Sequence, residues 1–322
     1  MSEVLALKYR PQSFDEVVGQ IDTVKQIEGA LKNQSLGHAL IFAGTRGCGK
    51  TTTARIVAQA LNPDLIPEQL GMVVQEIDAA SNTGVDNVRE IIENIRYSIK
   101  GHKVIILDEA HMLSKNAFNA LLKTLEEPPP GVTFILSTTE PHKLLPTVRS
   151  RCQLYEFRDV DVETLQTHYK NVASKEGLDL SDEAIYEISI RAEGSVRDGL
   201  TLLQKYLSGE DVEINASVYF DLVSAVYQGD ITTALDLVKE LRNKEDARVI
   251  IQTLEKWFYW CSLENFGMKT PARQHFPNEG DLVFDLNHLQ SLFDICLDIE
   301  RNFTNTPNSK SVLEMGIIRL CL

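Results

Sequence analysis

Gly44-Thr45-Arg46-Gly47-Cys48-Gly49-Lys50-Thr51 fits the pattern G-x-x-x-x-G-K-[ST], and its flanks decide what the pattern means. Before it runs Ala39-Leu40-Ile41-Phe42-Ala43, an apolar, strand-like segment. After it, Ala54, Val57, Ala58 and Leu61 fall on one face of a helix. Strand, glycine-rich loop and helix in that register aim successive backbone N–H groups and a helix N-terminus at a polyphosphate. Lys50 then reaches the β and γ phosphates, Thr51 offers its hydroxyl to Mg²⁺, and Thr52 extends the cradle into the helix. A chance glycine-rich turn would need neither flank.

Outward from this loop the chain alternates strands with helices. Upstream, Leu7-Lys8-Tyr9-Arg10-Pro11 reads as an extended arm, because Pro11 blocks helix continuation. Ile21, Val24, Ile27 and Leu31 space an amphipathic helix. Downstream, residues 62–71 read as a loop and residues 73–78 as a second strand, followed by a helix marked by Val85, Val88, Ile91, Ile92, Ile95 and Ile99. Val104-Ile105-Ile106-Leu107 is a third strand running into Asp108-Glu109, and Ala117 to Leu125 is a helix stopped by Pro128. Residues 133–137 and 153–157 complete five strands. The expected fold is α/β, a doubly wound parallel sheet covered on both faces, with carboxylates at a strand's C-terminal edge where such sheets bind ligands.

Past Arg158 the texture becomes helical, first in three short helices and then in a further set after Asn215. The expected domains are an α/β domain over residues 1–158, a small helical bundle over 159–220 and a further helical domain over 221–322. Trp257, Phe258 and Trp260 read as core packing rather than a cofactor shelf.

The 322 residues are ordinary for globular protein, 43% apolar and 24% charged. No apolar run suits a membrane span and no signal peptide is evident, so a cytoplasmic location is expected, with no membrane partner. The net charge of -14 is uneven: residues 1–160 carry 17 basic against 19 acidic side chains, and the remainder 15 against 27. Nucleic-acid contact therefore belongs to the first half. Five scattered cysteines without a C-x-x-C pair indicate neither zinc nor a disulfide framework.

The chemistry follows from the acids. Asp108 would hold Mg²⁺ directly or through water, and Glu109 would polarise the water that attacks the γ phosphate. The pair could otherwise cap a helix. Asp108-Glu109-Ala110-His111 also spells a helicase box, but the helical second half supplies no second RecA-like domain. Thr138-Thr139, ending the fourth strand, could detect the γ phosphate. Arg151 lies too far along the chain to serve its own loop and could complete a neighbour's site. Arg197 could reach back from the small helical bundle to the γ phosphate. The plainer alternative for each arginine is a surface ion pair.

The phosphate loop, Leu107-Asp108-Glu109-Ala110-His111-Met112-Leu113, Phe118 through Pro129, Ser150-Arg151-Cys152 and Gly194-Ser195-Val196-Arg197-Asp198 occur here in an order that resembles the AAA+ sliding-clamp loaders. The bacterial DNA polymerase III gamma/tau family is the nearest in pattern, and replication factor C small subunits are more distantly similar. That resemblance covers nearly the whole chain, weakly after about residue 220. It implies that the three domains are an ATPase domain, a helical lid and a helical collar, with ATP and Mg²⁺ on Lys50 and Thr51, Asp108 and Glu109 as Walker B acids, and Thr139 as first sensor. It also implies Arg151 as a finger acting in trans, Arg197 as second sensor, and Tyr9, Arg10, Pro11 and Val18 around the adenine. The implied partners are other loader subunits in a pentameric ring, homo- or hetero-oligomeric, a sliding clamp and primer-template DNA. Two departures stand out. The family's four-cysteine zinc module is missing between Asn62 and Val74, so no zinc is expected, and Ser81-Asn82-Thr83-Gly84 replaces basic residues, leaving Arg89 as the DNA-phosphate candidate. A compact chain of this kind suggests a phage or divergent bacterial source. The rivals are another AAA+ remodelling or branch-migration ATPase, opposed by Ser150-Arg151-Cys152 and the collar-like helices, and a non-enzymatic ring member, opposed by the intact Lys50, Thr51, Asp108 and Glu109.

Overall fold

Five strands carry the nucleotide-facing half of the protein: β1 (Ala39–Ala43), β2 (Val74–Asp78), β3 (Lys103–Asp108), β4 (Val132–Thr138) and β5 (Gln153–Glu156). They form one sheet in the order β2-β3-β4-β1-β5, and every pairing is parallel. This is a computed structural model, and it describes residues 4–81, 84–95, 101–208, 216–243, 246–268, 270, 284–303 and 309–322. Asn82, Thr83, Ile99, Asn215 and most of the connection between residues 268 and 287 lie outside the described residues.

The central strands are buried along their length, as unbroken apolar runs in a parallel sheet require. Alternate residues serve opposite faces. Leu40, Phe42, Val104, Ile106 and Ile135 pack against Ile27 of α2 (Ile21–Lys32) and against Ala54, Val57 and Ala58 of α3 (Lys50–Ala60). On the other face Ile41, Ile105, Leu107, Phe134 and Leu136 meet Val88 and Ile91 of α5 (Val85–Asn94) and Phe118, Leu121 and Leu125 of α6 (Lys115–Glu126). Doubly wound packing of this sort is what the alternating pattern predicts.

Two expectations change. The arm is not extended throughout: Leu5–Lys8 form a one-turn helix, α1, with Leu5 buried and its N–H donating to Gln204 Oε1 at 2.8 Å. Burying Leu5 and satisfying its amide stabilises a turn that Pro11 ends just downstream. Nor is the segment after α3 only a loop. It contains α4 (Pro67–Val73), started by Pro67 at the first helical position, where its missing N–H costs nothing, and by the Ile66 N–H donating to Gln69 Oε1. This helix occupies the cysteine-free stretch.

Between α7 (Pro146–Arg149) and the lid the chain passes through β5. The lid comprises α8 (Val162–Lys175), α9 (Asp182–Arg191) and α10 (Val196–Leu207), capped at their N-termini by the side chains of Asp161, Ser181 and Ser195. Leu165, Tyr169, Ile185, Ile188, Leu200 and Leu203 form its core, into which Leu5 inserts. Tyr169 packs so closely over Gly199 that a Cβ there would overlap its phenol ring. Gly199→Ala is expected to lower stability by roughly 1–3 kcal/mol, read as a fall in Tm of the full chain. An unchanged Tm would refute that packing.

Residues 1–210 and 211–322 are separate compact units. The second is helical: α11 (Ala216–Gln228), α12 (Ile231–Arg242), α13 (Ala247–Glu264), α14 (Leu286–Phe303) and α15 (Ser309–Leu320). The junction expected between residues 220 and 221 falls inside α11, whose Tyr219 and Leu222 both belong to the second core. Trp257 and Phe258 are buried there as core residues, and Trp260 packs against them at the margin. No helix among the described residues is long and apolar enough to cross a membrane.

Candidate active site

Parallel register sets the site. Ala43 pairs with Thr138 and Leu107 with Leu136, so the C-terminal ends of β1, β3 and β4 share one edge. The Gly44 N–H donates to Thr138 O at 3.1 Å, fixing where the loop leaves the sheet. Gly47 and Gly49 adopt φ of 74° and 104°, in the left-handed region that an L side chain strains to reach. Gly47 has a second constraint, because a Cβ there would overlap Ser195 Oγ of the lid. Ser195 therefore rests directly on the phosphate loop, a contact that the sequence reading missed.

Lys50 is buried, and its ammonium donates to Gly44 O at 2.8 Å and Thr45 O at 2.6 Å. Cys48 Sγ donates to Thr45 O at 2.9 Å, and burial raises the thiol pKa despite the nearby Lys50 charge. Thr51 Oγ1 donates to Asp108 Oδ2 at 2.9 Å, so the hydroxyl and carboxylate paired in the sequence reading do converge. Glu109 follows in the left-handed region at φ 47°. Its carboxylate accepts from Thr139 Oγ1 at 3.3 Å and lies 3.5 Å from His111 Nδ1. The two threonines thus divide their work: Thr139 faces Glu109, while Thr138 is fully buried and pairs with His111 Nδ1 at 3.0 Å.

A cavity of about 420 Å³ opens over this edge. The loop and Asp108 with Glu109 form its floor. Tyr9, Arg10, Pro11 and Val18 of the arm line one wall, and His168, Val196, Arg197 and Leu200 of the lid line the other. The arm is tied to the lid through Glu176, which accepts from Lys8 Nζ at 2.6 Å and from the Tyr9 hydroxyl. The loop is tied to the lid through a Thr45 hydroxyl bond to Asp159. Burial, then the neighbouring Arg55 and Arg197 charges, pushes the Arg10 guanidinium below its usual pKa. Such a concentration of cations attracts a polyanion.

The remaining two expected residues stand apart. Arg151 is outside this cavity: its Nε donates to Glu126 Oε1 at 2.5 Å and Nη1 to Thr147 O at 2.6 Å. Arg89 is exposed on α5, 3.3 Å from Asp86, beside a shallow groove that Asn116 and Asn119 also line. His168, Ser195 and Asp159 were missed. His168 and Asp159 stand alone with no spacing signal, and Ser195, though inside the Gly194–Asp198 motif, was given no role of its own.

A parallel five-stranded sheet, a phosphate loop, paired acids and a helical lid over the site define an AAA+ P-loop ATPase fold. Structures of the Thermotoga maritima RuvB Holliday junction branch migration motor share this fold. A point mutant of that motor has a TM-score of 0.53 at 20% identity over 88% of this chain and 92% of its own. Another RuvB structure has a TM-score of 0.51 at 24% identity over 64% and 66%. Residues 19–161 match the family model described as DNA polymerase III, delta subunit, and residues 214–322 match the one for DNA polymerase III subunits gamma and tau domain III. The gamma subunit of Buchnera aphidicola from Acyrthosiphon pisum is 31% identical over 99% of this chain and 98% of its own. The chain belongs to the DNA polymerase III gamma/tau subunit family. It is also 37% identical to the tau subunit of Bacillus subtilis and 32% to the tau/gamma subunit of Haemophilus influenzae, spanning only 62% and 51% of their lengths.

Proposed function

We propose that this chain is an ATP-driven motor subunit of a clamp loader, which opens a sliding clamp and places it on primer-template DNA during replication. The observation that carries this is the joint geometry of Lys50, the Thr51–Asp108 pair and Glu109 in one cavity, in a chain of the gamma/tau family. Residues 1–158 serve as the ATPase domain, helices α8 to α10 as its lid and the second compact unit as a collar in a pentameric ring. The role belongs in the cytoplasm of a bacterial or phage-infected cell.

The residues fit ATP with Mg²⁺. Gly47 and Gly49 curl the backbone around an anion, and Thr51 and Asp108 supply two hard oxygens side by side. Mg²⁺, when bound, neutralises charge on the phosphates. Lys50 exchanges its two loop carbonyls for phosphate oxygens. Glu109 takes a proton from the attacking water while Thr139 orients its carboxylate and senses the γ phosphate. Arg197 joins the lid to the same phosphate. Tyr9, Arg10, Pro11 and Val18 pack around the adenine. Arg151, held outwards by Glu126, extends to the site of the next subunit, and Arg89 contacts DNA phosphate.

With all loader subunits present, clamp plus primed DNA is expected to stimulate ATP turnover at least tenfold. Turnover unchanged by both together would count against a clamp-loading role.

A further inference from the structure

Just past Asp108 and Glu109, a histidine stands between two carboxylates. His111 lies in the short turn Ala110–Met112, its side chain 10% exposed, and it does not line the cavity. Its Nδ1 is 3.0 Å from Thr138 Oγ1 and 3.5 Å from Glu109 Oε2, while Nε2 is 3.8 Å from Glu140 Oε2. The neighbours on the Glu140 side are themselves held. The Glu140 N–H donates to Thr138 Oγ1 at 3.0 Å, and its carboxylate pairs with Lys143 Nζ. Lys143, and to a lesser degree His111, keep that carboxyl below the usual carboxylate range. Ionised carboxylates only accept, so an N–H on either ring nitrogen meets an anion.

We propose that His111 is a positioning residue, which holds the Glu109 carboxylate in place to take a proton from water and is itself held by Glu140. This rests on the ATPase function proposed above. Glu109 sits at φ 47°, a strained conformation for a residue other than glycine, and one that persists only where the surroundings fix it. Its side chain is 35% exposed, so solvent leaves it room to move. Two contacts restrain it, Thr139 Oγ1 at 3.3 Å and His111 Nδ1 at 3.5 Å, and both fall on Oε2. Oε1 is thereby the oxygen left to meet the attacking water. One hydrogen bond lets a carboxylate swing about it, and a second contact removes that freedom, which is what a base aimed at one water needs. The His111 ring itself stays out of the cavity, so its effect runs through Glu109 and belongs to turnover rather than to ATP binding.

Steady-state ATP turnover by the assembled loader, with clamp and primed DNA, tests this. His111→Ala is expected to lower kcat roughly ten- to a hundredfold and to leave KM for ATP within about twofold of the wild type, the pattern of a misplaced catalytic group. His111→Asn puts an amide where Nδ1 lies and should recover most of kcat. His111→Gln puts its amide where Nε2 lies and should recover little. Glu140→Gln should lower kcat about threefold by itself and have no further effect in His111→Ala, because its route to Glu109 is already cut. Four results would each overturn the assignment while leaving the ATPase reading intact: an unchanged kcat in His111→Ala, a KM that rises as far as kcat falls, His111→Gln matching His111→Asn, or Glu140→Gln acting as strongly without His111 as with it. The comparison of Asn with Gln stands even where truncation to Ala costs the fold. A wild-type complex that hydrolyses no ATP overturns both.

Discussion

Lys50→Ala is expected to weaken ATP binding at least a hundredfold, with turnover lost in step. The ammonium is buried and held by Gly44 O and Thr45 O, so it already points into the loop where phosphate oxygens would compete for it. Truncating a buried, hydrogen-bonded charge costs about 2–5 kcal/mol in binding, and each 1.4 kcal/mol is about tenfold in affinity. The same truncation strands two carbonyls within a tight loop, so circular dichroism should accompany the titration. A folded Lys50→Ala chain that binds ATP normally would remove the loop from the mechanism.

Arg151→Ala should behave in the opposite way, sparing ATP binding while lowering turnover by roughly a thousandfold in the assembled complex, as loss of an arginine finger does. Its guanidinium is engaged with Glu126 and Thr147 O outside the cavity that holds Lys50, Asp108 and Glu109. That partly exposed ion pair contributes at most about 1 kcal/mol, so stability should barely move and the two effects can be separated. Single-turnover measurements with the partner subunits present would expose the loss. Normal turnover in Arg151→Ala would end the proposed role in trans.

How far the fold could be read beforehand depended on spacing. The parallel strands and their covering helices showed themselves as unbroken apolar runs and 3.6-residue periodicity, and the phosphate loop sat in the strand-to-helix register that its chemistry needs. Helices α1 and α4 escaped because each is too short for periodicity to register. One is stabilised by a tertiary contact of Leu5, and the other by Pro67 at its start. The junction near residue 220 was misplaced because the lid and the second unit are both helical, so their composition hardly changes across it. Within the site, Asp108, Thr51 and Glu109 were legible because strand ends and motif spacing locate them. Thr138 is the last residue of β4 and meets His111, whereas Thr139, just past the strand, meets Glu109, a distinction that the pair's sequence does not carry. His168 comes to the cavity, and Ser195 and Asp159 to the phosphate loop, through long-range packing that local pattern does not encode.

The central claim is that hydrolysis needs two polypeptides, one contributing the pocket and the next contributing Arg151. The most direct test mixes Lys50→Ala and Arg151→Ala chains with the partner subunits and measures ATP turnover against each variant alone. Recovery in the mixture, where an Arg151→Ala pocket meets a neighbour that still carries Arg151, is the predicted result. A mixture no more active than either variant alone, together with wild-type monomer hydrolysing ATP at the full rate, would contradict the claim.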